Sequence, residues 1–168
     1  MADKAHCSDM IRAKRTIRNA LFDDRDVVAL IVNDQNVQPE TAEYDKAQRF
    51  VMDYRYVDET VQQAAAWVMV ETECDASSGT MKDLYVYIEV LCSKQYMDLD
   101  GWRGVSGNRR DNLLIQVDRV VNGMKNVGIG KINLDDVRVV SAPNGFTSIV
   151  ATYVVPDFLK VRGVGNYA

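Results

Sequence analysis

The stretch DLYVYIEVLCS, residues 83–93, constrains the fold more than any other part of this chain. Aromatic and β-branched residues fill it, and neither glycine nor proline interrupts it. Such a run reads as a strand set among neighbours in a sheet. AAAWVMVETEC, residues 64–74, starts as an apolar run and becomes alternating, which marks a second strand. Between them lies the turn-rich DASSGTMKD. The two strands predict an antiparallel hairpin with a long loop near Ser78 and Gly79. That centring places Cys74 opposite about residue 83, so a Cys74–Cys92 disulfide is disfavoured. RFVMDYRYV, residues 49–57, sets Phe50, Met52, Tyr54 and Tyr56 against Val51, Asp53, Arg55 and Val57, as a half-buried strand should. Two more strands are expected near 136–141 and 146–155, reversed by Ala142-Pro143-Asn144-Gly145.

Helical spacing occurs at three places. Ser8 reads as the cap of a first helix over about 9–22, with Met10, Ala13, Ile17, Ala20 and Leu21 on its apolar side. Arg12, Arg15 and Arg18 fall together on another face, which is either a solvated surface or a basic contact for a nucleic acid or acidic partner. Val27, Val28, Leu30 and Ile31 suit a short second helix ending near Asn33, although their β-branching also permits a strand. The polar segment 33–48 reads as an exposed loop. The second long helix, about 109–122, carries Leu113, Leu114, Val117, Val120 and Val121 in one stripe and stops at Asn122-Gly123. The fold class is therefore α+β: one domain over 1–168, with a mostly antiparallel sheet of four to five strands packed with an N-terminal helix and the helix at about 109–122.

Catalytic chemistry is poorly supplied. The glycine-rich GWRGVSGNRRDNLL, residues 101–114, could cradle a phosphate at a helix N-terminus. It lacks the lysine and hydroxyl residue of a Walker loop, however, and its G-x-x-G-x-x-G spacing is not the dinucleotide fingerprint. Asn108 three residues before Asp111 instead resembles a capping box. Asp98 and Asp100 give only part of a calcium loop. The sole histidine, His6, lies near the terminus, and three cysteines (Cys7, Cys74, Cys92) lack metal or redox spacing. The tyrosines at 54, 56, 85 and 87 suit sheet packing better than a base-stacking platform. No enzyme, cofactor or metal is expected. A net charge of −4 disfavours broad DNA binding. No apolar run approaches the roughly 20 residues that span a bilayer, and MADKAHCSDM has no signal core, so cytosolic synthesis is expected.

From about residue 64 onward the chain resembles the head–tail joining proteins of tailed bacteriophages, the neck and tail-terminator family. The resemblance rests on DLYVYIEVLCSKQYMD (83–98), GNRRD (107–111) ahead of an apolar helix, VGIGKINL (127–134) and IVATYVVPDF (149–158). It implies a virion protein at the head–tail interface, assembled in the bacterial host cytoplasm. The implied subunit forms a homo-oligomeric ring, a hexamer or higher, touching connector and tail-tube proteins while the genome passes without specific binding. Tail termination is the foremost role it implies, with a head-closure or adaptor role below the portal as the alternative. A small nucleic-acid-binding module is the alternative from another class. The family offers no catalytic residues. Its matching positions are Arg109, Arg110 and Asp111 at the helix start and Gly128, Gly130 and Lys131 in the loop after it; with Arg12, Arg15, Arg18 and Arg103 they are the expected interface residues.

Overall fold

A computed structural model describes residues 7–55, 65–74, 83–127, 130–156 and 158. His6, Tyr56, Gly128 and the expected turn at Ser78 and Gly79 lie outside the described residues. The architecture is α+β; the described residues form four α-helices and a five-stranded, mostly antiparallel sheet.

Helix α1 spans Cys7–Asp23, and Ser8 sits inside its first turn rather than capping it. Ala13, Ile17 and Leu21, four residues apart, form its buried ridge. Helix α2 follows at Arg25–Val32. The Asp24 side chain accepts the backbone N–H groups of Asp26 and Val27, both at 3.1 Å, which fixes the helical start despite the β-branched residues that follow. Val27 through Ile31 are all buried, so tertiary packing overrides their strand preference.

The expected loop at 33–48 is corrected: it contains a helix, α3, at Ala42–Ala47, and a 3₁₀ turn at Gln48–Phe50. The Thr41 hydroxyl caps α3 by accepting the Tyr44 N–H at 3.2 Å. Tyr44 is buried, stacks edge-on against Phe22 and donates its hydroxyl to the Phe22 carbonyl at 3.0 Å. The expected strand at 49–57 is also corrected. Among the described residues of that segment only Val51–Met52 (β1) pairs, because 48–50 coil ahead of it and Arg55 is drawn off the sheet line to Glu71 and Glu89.

β1 runs parallel to β2 (Ala66–Cys74), which is antiparallel to β3 (Leu84–Ser93). β3 pairs antiparallel with β5 (Phe146–Val155), and β5 with β4 (Asn133–Val140), so the spatial order is β1-β2-β3-β5-β4. Cys74 pairs with Leu84 and Cys92 with Ala66, at opposite ends of the β2–β3 ladder, so no disulfide joins them. Alternation then sorts the faces. Ala66, Val68 and Val70, Leu84 through Cys92 at every second residue, and Ile149, Ala151, Tyr153 and Val155 belong to one core with the helices. Helix α4, Arg109–Val121, presses Leu113, Val117 and Val121 into that core. On the other face, Met52, Trp67, Met69 and Leu91 form a smaller cluster, with Phe50 and Phe146 edge-on to Trp67.

The two sides of α4 should respond differently to truncation. Leu113 is wholly buried and Ile115 is 60% exposed. In denaturant unfolding, Leu113→Ala should cost roughly 2–5 kcal/mol and Ile115→Ala no more than about 0.5 kcal/mol.

Candidate interface site

The glycine-rich stretch belongs to a loop whose two ends meet: the Arg109 N–H donates to the Met97 carbonyl at 2.8 Å. Gly101, Gly104 and Gly107 all have φ between 71° and 86°, the left-handed region that glycine adopts without strain. Gln35, beyond the end of α2, holds the middle of this loop. Its side-chain amide donates to the Arg103 carbonyl at 2.9 Å and its side-chain oxygen accepts the Arg103 N–H at 3.1 Å. Asn108 caps α4, accepting the Asp111 N–H at 2.9 Å and donating to the Asp111 carboxylate at 2.7 Å. The glycines therefore serve backbone turns and the polar residues a helix start.

Arg109 overturns its expected place on a surface. It is 1% exposed. Its guanidinium donates to the carbonyls of Tyr96 and Leu30, each at 2.6 Å, and to the Asn33 side-chain oxygen. The Trp102 ring lies 5.3 Å from its Cζ. Among the described residues no carboxylate pairs with it. Instead the carbonyl end of α2, with its partial negative charge, and the face of an indole stand where a counter-ion would. Desolvation lowers the Arg109 pKa, with the nearby Cys92 opposing it. Burial in turn pushes the Cys92 thiol up to about 12.

Arg110 is held inside the subunit as well. Its Nε and Nη2 donate to Asp111 Oδ1 at 3.0 and 2.9 Å, and Nη1 donates to the Thr147 hydroxyl at 3.0 Å, tying α4 to the start of β5. The expected arginine face of α1 is likewise divided. Arg12 and Arg15 are exposed, and Arg12 lies 3.8 Å from Asp9. Arg18 is half-buried, its Nε donating to the Val51 carbonyl at 2.8 Å and its Nη2 to the Gln48 carbonyl at 3.2 Å. Lys14, between them, pairs with Glu71 at 2.6 Å. The basic residues of α1 therefore do not form one open face.

Lys131 is exposed, as is Arg103 in the glycine-rich loop. Gly130 has a packing role: a Cβ there would stand 2.9 Å from the Pro156 carbonyl oxygen. Of the described tyrosines, Tyr87 has an acidic neighbour, its hydroxyl donating to Glu73 at 3.1 Å. Among the described residues no group of three or more His, Cys, Asp or Glu could hold a metal ion, and no helix is long and apolar enough to cross a membrane.

Two features were missed in the sequence. Glu89 is buried on the face away from the helices, accepting the Ser148 hydroxyl at 2.7 Å and the Arg55 Nε at 2.8 Å. Strand β4 ends the sheet with Asn133 through Val139 all exposed, including Leu134, Val137 and Val139. The alternation of Asp136 and Arg138 with valine was the available signal for it.

A family model described as YomW matches residues 24–155, from the cap of α2 to the last residue of β5, leaving α1 outside the matched span. No curated protein matches the chain.

The adjacent arginines should separate in mutagenesis. Arg109→Ala strands two carbonyl acceptors and opens a cavity, so it should destabilise the fold by roughly 3–5 kcal/mol in denaturant titration. Arg109→Lys should recover little, because an ammonium cannot reproduce the guanidinium fork. Arg110→Ala should cost about 1 kcal/mol or less. Thiol alkylation of the native protein near pH 8 should label exposed Cys7 and spare Cys92, with mass spectrometry identifying the sites; Cys92 should react only on unfolding.

Proposed function

The chain belongs to the YomW family, which is phage-type and prophage-like, and on that premise we propose that it is a structural subunit of the phage neck. In this reading it forms a homo-oligomeric ring at the head–tail interface, capping the tail tube and joining it to the head.

The observation that carries the reading is the family match, which spans more than three quarters of the chain and every described strand. The resemblance of the segments at 83–98, 107–111, 127–134 and 149–158 supports it. So does the construction of the glycine-rich loop, whose polar groups hold α2 and α4 together. Arg12, Arg15, Arg103 and Lys131 are exposed and are the candidates for contacts with neighbouring subunits or rings. Arg109 acts one step back, by fixing the loop that presents Arg103. The net charge of −4 suits a channel wall that lets DNA pass, since negative walls repel phosphates.

Negative-stain imaging of the purified chain mixed with tail tubes of the encoding phage tests the proposal. The expected result is a ring at one tube end, with only weak binding to free duplex DNA at physiological salt. Sub-micromolar duplex binding that falls steeply with salt, without decorated tube ends, would identify a nucleic-acid-binding module instead.

A further inference from the structure

The two edges of the sheet are built differently. β1 is two residues long, and the Arg18 guanidinium binds its Val51 carbonyl. β4 is eight residues long, and among the described residues no strand lies beyond it. Three of the seven large apolar side chains exposed in the described structure lie on it: Leu134 at 40%, Val137 at 41% and Val139 at 67%. Its charged residues Asp135, Asp136 and Arg138 form no ion pair within the described chain. An open edge with exposed valines is a template for another strand.

The pattern of charge selects which strand fits. Val137 and Val139 pair with Ala151 and Ile149 and share their side of the sheet, the side that carries the helices. Asp136 and Arg138 pair with Thr152 and Val150 and share the other. If a second copy approaches about a two-fold axis normal to the sheet, both helix layers stay on one face and like faces meet. Centring that pairing on Asp136 opposes two carboxylates, and centring it on Arg138 opposes two guanidiniums. Centring it on Val139 sets Arg138 against Val140. Centred on Val137, Asp136 faces Arg138 of the partner subunit on both sides of the axis. Val137 then meets its own counterpart, with Val139 on the diagonal and, by count, opposite Asp135, the residue that the ladder to β5 skips. The irregularity between Leu134 and Asp136 breaks the ladder beyond this point and keeps the pairing short.

We propose that β4 is a self-recognition edge, pairing antiparallel with β4 of a second copy in the register centred on Val137. The contact is isologous and closes on itself, so it does not build the ring proposed above and does not rest on that reading. A ring needs a separate, heterologous surface.

Sedimentation equilibrium of the full chain from micromolar to millimolar concentration tests the pairing, with circular dichroism confirming that each variant is folded. Wild type should pass from monomer to dimer. Asp136→Arg and Arg138→Asp should each weaken the dimer about tenfold or more, because both cross-strand pairs become like-charged. The double variant should restore self-association. The decisive arm mixes the two single variants: their edges become complementary, so a heterodimer should form where neither dimerises alone. A wild type that stays monomeric throughout would overturn the proposal. So would single variants that dimerise as wild type does, or a mixture that stays monomeric. A larger oligomer indifferent to both reversals would also overturn the pairing, while favouring ring formation through another surface.

Discussion

The fold depends on a cation that, among the described residues, is buried without a carboxylate. Arg109 reaches the last turn of α2 through the Leu30 carbonyl and Asn33, the 3₁₀ turn Lys94–Tyr96 that follows β3 through the Tyr96 carbonyl, and the loop indole of Trp102. Taking a guanidinium out of water is costly, and every acceptor must be in place at once for the burial to hold. α2, the turn after β3 and the start of α4 are therefore positioned by one side chain. The Asn108 cap and the Gln35 clasp secure the same junction from outside. Such an arrangement is intolerant of partial assembly, which favours a single arrangement of these segments.

How much of this was legible in the sequence depended on how many residues voted for each element. Helix α4 shows a full stripe and a cap, and β2, β3 and β5 show long runs with unambiguous alternation, so their places were readable. α3 contributes only Tyr44 and Ala47 to the core, too few for periodicity to register in a polar stretch. β1 lost most of its expected length because long-range partners of Arg55, Glu71 and Glu89, decide where the chain leaves the sheet. The burial of Arg109 was invisible for a different reason. Charge is a good guide to exposure only when acceptors are scarce, and here two of them are backbone carbonyls, which leave no mark in a sequence.

The same principle divides the candidate interface. The residues singled out by charge alone separate into those satisfied within the subunit, Arg18, Arg109 and Arg110, and those facing solvent, Arg12, Arg15, Arg103 and Lys131. The first group shapes the subunit, and the second lies on its surface, with Arg12 3.8 Å from Asp9. β4 adds a surface that charge did not advertise, since its acidic and basic residues nearly cancel within one strand. Among the described residues the sheet is thus closed at β1 by a side chain and left open at β4, an asymmetry that gives the subunit a direction.

The clasp between Met97 and Arg109 has one further consequence. With its ends joined at 2.8 Å, the intervening chain is already a closed circuit, and lengthening it adds only a slowly growing, logarithmic entropy. Gly104 is exposed, with open space where a Cβ would stand, just past the anchor at Arg103. Extra residues could be spliced there without displacing α2 or α4. The loop is in this sense a socket, where the length and chemistry of a contact can diverge between related subunits while the frame beneath stays the same.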